Sequence, residues 1–218
     1  MRCRQLIHGW LALSLLAVSA CGNSQSNTGD PAASVQNSEV IDKSGPQVTL
    51  VTSKGDITLQ LFEQAAPLSV ENFMQYVATD FYDNTIFHRV IPNFMIQAGG
   101  HTEDMTLKET RGTIENEADN GLKNVRGSVA MARMRAPNSA SAQFFINVVD
   151  NPGLDFREKT MNGYGYAVFG EVIDGMDVVD VIRGVSTGTN GPHRDVPVEP
   201  VFIEDVIVVN PETEENNS

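Results

Sequence analysis

Alternation of apolar and polar residues is the main pattern along this chain, and it predicts β-strands. Ile57, Leu59 and Leu61 alternate with polar residues, which places one face of that segment on a core. Just before it stands Lys54-Gly55-Asp56, whose glycine suits a hairpin turn. Strands are predicted over residues 48–52, 57–62, 85–91, 94–97, 129–132, 144–148, 166–173 and 201–209.

Two short segments predict helices instead. The first opens at Pro67, which suits a first helical turn, and its apolar stripe at spacings of three and four comprises Val70, Phe73, Met74 and Val77. The second covers residues 175–183, with Asp174 as the expected N-cap and Gly184 just past its end. Many strands with two helices favour a closed β architecture, and the pattern alone leaves barrel and sandwich open.

Residues 85–97 combine strand-forming residues with a single charge. Pro92-Asn93 has turn chemistry, so the stretch is predicted as two strands joined by a turn. Arg89 lies among apolar residues, and its guanidinium stays charged in a protein, so the charge needs a partner or a function. Met95 and Gln97 share one face of their strand, and both can line a groove with Arg89.

Composition narrows the classes of partner. The chain has 218 residues and a formal net charge of −13, which argues against nucleic acid or anionic lipid as the main partner. Its cysteines are Cys3 and Cys21, so the chain beyond them has no internal disulfide or thiolate metal site. The length that follows is enough for one core. We expect a single domain and a monomer.

Other residues with chemical potential are interpreted as structural. His88 lies in the central stretch but is expected to face away from its groove. His101 and His193 are predicted in loops without a second nearby ligand, so no metal site is expected. One acidic loop is expected to be solvated rather than to bind a cation; its carboxylates are Glu115, Glu117 and Asp119.

Residues 1–20 have the pattern of a secretory signal. Arg2 and Arg4 precede an apolar run, residues 10–18, that is shorter than the roughly 20 residues needed to span a bilayer. Residues 18–21 (VSAC) resemble the bacterial lipobox, in which the cysteine is lipidated and becomes the mature N-terminus. That resemblance makes Cys21 the predicted lipidation site. The alternative is an ordinary signal peptide cleaved near Ala20.

Residues 21–45 are predicted as a flexible tether, because their Asn, Ser, Gly and Gln offer too little apolar surface to fold. A coil of that length reaches about 25 Å, enough to hold a domain clear of a membrane. The domain is predicted over residues 46–210, followed by an acidic tail, 211–218. The expected location is the cell envelope, lipid-anchored and facing the periplasm. Gly22-Asn23 lacks the aspartate of inner-membrane retention and favours the outer membrane.

Several stretches together resemble the cyclophilin-type peptidyl-prolyl isomerases. They occur in the order of that family at residues 87–100 (FHRVIPNFMIQAGG), 127–133 (GSVAMAR), 141–147 (SAQFFIN) and 165–172 (GYAVFGEV). Residues 114–122 (IENEADNGL) are similar to the bacterial members. The resemblance implies a mainly β fold, a closed eight-stranded antiparallel barrel capped by two helices. It also implies cis/trans isomerisation of prolyl bonds in unfolded or exported polypeptides, with no metal or cofactor.

The resemblance also assigns the site. Arg89 matches the catalytic arginine, and the apolar proline pocket is matched by Phe94, Met95, Phe145 and Leu154. Gln97 matches a residue that orients the arginine and substrate. The remaining substrate-binding matches are Ala132 and Arg133, whose backbone pairs with the peptide, together with Gln143 and Tyr166.

The chain departs from the animal cyclophilins at two of these positions. Gly153 replaces the pocket tryptophan and Tyr166 the pocket histidine, so weak cyclosporin binding is expected alongside retained catalysis. Two alternatives to the enzyme stay open. One is a module that binds proline peptides without turnover, and the other is a scaffold lipoprotein whose barrel only presents loops. Arg89 favours the enzyme, because binding alone needs no donor at the prolyl nitrogen.

Overall fold

A computed structural model describes residues 40–209. The predicted signal segment, Cys21 and the acidic tail 211–218 lie outside the described residues. The strands are β1 (Gln47–Thr52), β2 (Gly55–Leu61), β3 (Thr85–Ile86), β4 (Arg89–Ile91), β5 (Met95–Ala98), β6 (Ser128–Met131), β7 (Phe144–Asn147), β8 (Val168–Asp174), β9 (Thr187–Asn190), β10 (His193–Pro197) and β11 (Phe202–Val209). The helices are α1 (Pro67–Val77) and α2 (Met176–Arg183), with a 3₁₀ turn at Pro152–Leu154.

Nine of these strands form one antiparallel sheet in the order β3-β11-β1-β2-β8-β6-β7-β5-β4. Its two ends, β3 and β4, are pieces of the single strand predicted over residues 85–91. Between them Phe87 N–H donates to Val201 O at 2.9 Å, which continues the β3–β11 pairing one residue beyond β3. β3 and β4 stand at opposite ends of the strand order but follow one another in the chain. Counted as one interrupted strand, they join the two edges of the sheet. The fold is therefore the expected mainly β, eight-stranded barrel.

The two faces of this sheet carry two different apolar clusters. Val90, Ile96 and Ile146 are paired across β4, β5 and β7, and all three belong to the larger, interior cluster. The neighbouring residues in the same strands point to the other face, because side chains alternate along a strand. There Met95 and Phe145 belong to a second, smaller cluster. Burial on both faces explains why β6 and β7 lack the alternating pattern of a half-exposed strand.

Helix α1 begins at Pro67 as predicted, but its N-terminus is satisfied from a distant segment. The N-cap, Ala66, offers no side-chain acceptor. The carboxylate of Glu117 accepts hydrogen bonds from Leu68 N–H at 3.0 Å and from Ser69 N–H and Oγ–H at 2.8 and 2.7 Å. Part of the acidic loop is therefore a helix cap rather than a solvated segment, since an anion suits a helix N-terminus.

Helix α2 starts at Met176, one residue later than predicted. Asp174 is the last residue of β8, and its carboxylate accepts the N–H of Gly175 at 2.9 Å. Gly175 is the N-cap, with φ of 84°, and a Cβ there would lie 2.2 Å from Asp56 O. Only glycine fits that approach, so the predicted role of Asp174 as the N-cap is wrong. Gly184 follows the helix as expected.

A second, two-stranded sheet was not predicted. It is the hairpin of β9 and β10, which packs against β4 at the end of the large sheet. All four residues of β9 are exposed, so the segment has no apolar alternation from which to recognise a strand. This hairpin is important for the site described below.

The last residues of the predicted tether contact the domain. Lys43 Nζ lies 2.9 Å from Glu171 Oε2, and Ser44 O accepts the N–H of Glu63 at 3.1 Å. In the part of the chain that the structure describes, no helix is both long and apolar enough to cross a membrane.

Candidate active site

The candidate site is a row of residues that crosses the outer face of four strands. Arg89 in β4 is paired with Gln97 in β5, and Gln97 with Phe145 in β7. Phe145 is paired in turn with Ala130 in β6. Paired residues point to the same face, so the sheet register places the guanidinium, the amide and the aromatic ring side by side.

A cavity of about 100 Å³ opens on this row. A water molecule has a share of about 30 Å³ in the liquid, so the space suits a small ring. The lining residues include every predicted catalytic and substrate-binding residue except Gln143; they are Arg89, Phe94, Met95, Gln97, Ala132, Arg133, Phe145, Leu154 and Tyr166. Residues from five separated stretches of sequence thus meet at one pocket.

Gln143 lies at the boundary with an adjoining groove, which Gln97, Ala132 and Arg133 also line. Its Oε1 accepts a hydrogen bond from Gln97 Nε2 at 2.9 Å. Its backbone carbonyl accepts the N–H of Ala132 at 2.9 Å, so a peptide alongside this segment would use other backbone groups. The Nε2 of Gln97 is therefore engaged by Gln143, and the role of Gln97 in orienting Arg89 and the substrate stays a prediction.

The Arg89 side chain is 42% exposed, and it makes one close charge contact. Its Nε lies 3.9 Å from Oδ2 of Asp195, in the unpredicted hairpin. Among residues 40–209 no other carboxylate comes within 4.0 Å of this guanidinium, and it donates no hydrogen bond. Its donors are thus available to a ligand in the pocket.

The Arg133 side chain is fixed at the pocket wall. Its Nε donates to Gly165 O at 2.7 Å, and its guanidinium carbon lies 4.6 Å from the ring centroid of Tyr166. The Tyr166 ring packs edge-on to Phe145, with centroids 5.7 Å apart. The resemblance predicts a backbone role only for Arg133, and the structure adds a cation stacked on the ring of Tyr166.

A network of buried side-chain amides connects the strands and the turn that carry the pocket residues. The sequence pattern did not predict this network. Asn147 is fully buried at the end of β7; it donates to Asn124 Oδ1 at 3.2 Å and to Ser128 Oγ at 2.9 Å. It also accepts a hydrogen bond from Asn151, whose amide reaches Phe94 O at 2.8 Å. The network connects β7 to the turn that carries Phe94. A lone Asn at the end of an apolar strand gave the only hint of it.

The loop that carries Leu154 is held by Gly165. This glycine has φ of 74°, and a Cβ would lie 2.6 Å from the backbone of Asp155. The next residue, Tyr166, donates its N–H to Leu154 O at 2.9 Å. Close approach of the two chains therefore places Leu154 and Tyr166 on the same pocket. Gly153 beside them has no such constraint, since nothing lies within 4 Å of a Cβ there.

Three histidines form a cluster behind β4. The rings of His88 and His101 are 4.2 Å apart and those of His101 and His193 are 5.5 Å apart, so the prediction that His101 and His193 lack a second nearby ligand is wrong. His88 is buried, as expected. Burial, reinforced by the neighbouring His101, lowers the pKa of His88 to about 3. No group of three or more ligating side chains in residues 40–209 is arranged to hold a metal ion.

The amino-acid sequence is similar to those of proteins that are already known. A sequence model of the family "Cyclophilin type peptidyl-prolyl cis-trans isomerase/CLD" matches residues 47–208. Peptidyl-prolyl cis-trans isomerase B of Escherichia coli is 58% identical over 161 residues, which cover 74% of this chain and 98% of that protein. Peptidyl-prolyl cis-trans isomerase cyp18 of Streptomyces antibioticus is 59% identical over 157 residues, 72% of this chain and 95% of that protein.

Comparison with solved structures identifies the same family. The crystal structure of a cyclophilin-type peptidyl-prolyl cis-trans isomerase from Cryptosporidium parvum is similar, with a TM-score of 0.62 and 27% sequence identity. The match covers 76% of this chain and 98% of that one.

Proposed function

Because this chain belongs to the cyclophilin-type peptidyl-prolyl cis-trans isomerases, we propose that its catalytic group is Arg89 and that it acts on exported polypeptides in the cell envelope. The catalytic part of the proposal rests on the row of Arg89, Gln97 and Phe145, which places an available cation at the rim of an apolar pocket. No bond is made or broken in this reaction, so the site needs neither a nucleophile nor a metal.

The chemistry explains why a cation belongs there. Rotation about a prolyl bond opposes amide resonance, with a barrier of about 18–20 kcal/mol. In the twisted state the prolyl nitrogen regains a lone pair, which can then accept a hydrogen bond. A donor aimed at that nitrogen stabilises the twisted state more than either planar isomer, and this difference is what accelerates the reaction. A guanidinium donates at every physiological pH.

The pocket supplies the second requirement, a grip on the proline ring. Met95 and Phe145 are buried, and Phe94 and Leu154 are partly buried around the same cavity. A small ring placed on these side chains displaces water from apolar surface, which favours binding at about 25 cal/mol per Å². The peptide chain on either side stays free to rotate.

The location rests on the N-terminal sequence. Residues 18–21 match a lipobox, and the segment that follows is polar enough to act as a tether. We propose that lipidated Cys21 holds the domain at the periplasmic side of the outer membrane. Its partners there are proline-containing polypeptides that have crossed the inner membrane and are still unfolded.

Arg89→Ala and Arg89→Lys test the catalytic proposal. In a proline-tetrapeptide assay, we expect the alanine variant to lose at least about tenfold in kcat/KM, within the range of up to about 10³ for removal of one transition-state donor. The lysine variant recovers part of the loss, since a point charge does not reproduce the planar fork. Lys54→Ala, on an exposed turn that does not line the pocket, serves as the charge control. Turnover of Arg89→Ala equal to that of the wild type would show that Arg89 is not the catalytic group, whereas no turnover by the wild type itself would favour the peptide-binding module.

A further inference from the structure

The hairpin beside β4 contains an irregularity next to Arg89. His193 is paired with Asn190 and Val196 with Gly188, so Arg194 and Asp195 together lie opposite Thr189. This extra residue makes a β-bulge, a feature that redirects a side chain beside a functional site. Asp195 has φ of 59°, a left-handed conformation that is uncommon outside glycine and that aspartate tolerates better than most residues.

The bulge directs the carboxylate of Asp195 at the guanidinium of Arg89. Oδ2 lies 3.9 Å from Nε, and both side chains are partly exposed, at 45% and 42%. Within the described part of the chain Asp195 makes no side-chain hydrogen bond, so this ion pair is its only polar contact. The pair is longer than a hydrogen bond, and its effect is therefore electrostatic.

No other ion pair and no hydrogen bond involves the Arg89 guanidinium within residues 40–209. Gln97, the residue predicted to orient the arginine, donates its amide to Gln143. Arg89 stands on a strand of three residues that ends the large sheet, and its neighbour on the far side is the hairpin of β9 and β10.

We propose that Asp195 is a positioning residue for the isomerase reaction: its carboxylate attracts the Nε edge of Arg89 and leaves the terminal nitrogens facing the pocket. This inference rests on the proposed catalytic role of Arg89. A long side chain held in one orientation before the substrate arrives needs less ordering in the transition state. Positioning of this kind raises kcat more than it changes the affinity for the peptide.

The conformation of Asp195 gives a way to separate positioning from a structural role. Asp195→Gly removes the carboxylate but suits the left-handed backbone at least as well, so the fold is retained. Asp195→Asn keeps the shape and removes the charge. The matched control is Asp80→Gly, because Asp80 also has a positive φ, 52°, and lies in the turn after α1, away from the pocket.

We expect both Asp195 variants to lower kcat on a proline tetrapeptide by roughly three- to fivefold, the size of an exposed ion pair, with KM changed less than about twofold. Thermal unfolding of Asp195→Gly shows a Tm equal to or above that of the wild type. Asp80→Gly leaves kcat unchanged. High salt reduces the kcat of the wild type toward that of the variants, because the pair is screened.

The Arg89→Ala background distinguishes failure of this inference from failure of the proposed function. If Asp195 acts through Arg89, then Asp195→Asn has no further effect once Arg89 is alanine. An equal loss in both backgrounds overturns the inference, and so does wild-type turnover of the Asp195 variants beside an impaired Arg89→Ala. Full activity of Arg89→Ala itself overturns the proposed function, and the positioning role with it.

Discussion

Gly153 lies on the 3₁₀ turn beside the pocket, at the position that the resemblance matches to the pocket tryptophan of animal cyclophilins. Open space surrounds a Cβ at this site, so a larger side chain can be introduced without a clash at its base. The pocket that receives the proline ring is built from other residues. Binding of a large cyclic ligand and turnover of a small peptide therefore depend on different atoms.

We predict that Gly153→Trp tightens cyclosporin binding by roughly two orders of magnitude and changes peptide turnover less than about twofold. An indole that contributes about 60–80 Å² of contact and one hydrogen bond accounts for about 2.5–3 kcal/mol. Titration of both proteins with the drug, followed by inhibition of the peptide assay, measures the difference. Tight inhibition of the parent protein, or no gain in the variant, contradicts this explanation.

His88 makes the fold sensitive to acid. Its pKa falls from an ordinary value near 6.5 to about 3 on folding, mainly through burial. Between those values the unfolded chain binds a proton that the folded protein excludes, so the free energy of unfolding decreases as the pH falls from about 6.5 toward 3. The contribution of this residue approaches about 1.4 kcal/mol per pH unit.

We predict that His88→Gln flattens the dependence of stability on pH in that window. Chemical denaturation at several pH values from 7.5 to 4 tests this, with the difference between variant and wild type taken at each pH. At neutral pH the difference reports packing alone and is constant. Parallel curves for the two proteins across the whole range would show that His88 does not titrate on unfolding.

At the scale of elements, α1 depends on a residue about 50 positions away in the chain. Glu117 accepts three hydrogen bonds at the helix start, where Ala66 offers none. We predict that Glu117→Gln lowers the free energy of unfolding by about 1–2 kcal/mol, because a charge-assisted cap becomes a neutral one. Glu109→Gln, at an exposed position, is the control and stays within about 0.5 kcal/mol in urea denaturation. Equal midpoints for the two variants would show that the cap contributes nothing.

Local patterns predicted the elements that bury one face. The strand with Ile57, Leu59 and Leu61 and the helix opened by Pro67 both lie where periodicity placed them. The β9–β10 hairpin was missed because β9 is exposed on both faces, and with it Asp195 was missed. The caps at Glu117 and Gly175 were missed for another reason: each depends on a contact between segments distant in sequence.

Site residues were found by resemblance rather than by periodicity. Arg89 stood out as a charge in an apolar stretch, but its alignment with Gln97 and Phe145 depends on the sheet register, which no local pattern contains. The fixed side chain of Arg133 and the amide network around Asn147 likewise depend on tertiary contacts. The motifs identified the candidate residues, and the tertiary fold determines which of them are in contact.

At the scale of the whole molecule, we predict that a lipid on Cys21 anchors the domain to the membrane. Cys21→Ala removes the only thiol of the predicted lipobox, so the domain should move from the membrane fraction to the soluble periplasmic fraction. Each buried methylene of an acyl chain contributes about 0.8 kcal/mol, which makes attachment by more than one chain firm. Fractionation of cells that express the parent or the variant measures the effect. Identical partitioning of the two proteins contradicts lipidation at Cys21.

The central claim is that Arg89 acts on the twisted prolyl bond and contributes little to holding the peptide. Exchange NMR on a proline tetrapeptide measures both quantities in one sample, as the rate of cis/trans exchange at saturation and the Kd from the shift of the peptide signals. We predict that Arg89→Ala lowers the exchange rate at least about tenfold and raises Kd less than about threefold. A large rise in Kd with exchange at saturation unchanged would instead make Arg89 a binding residue.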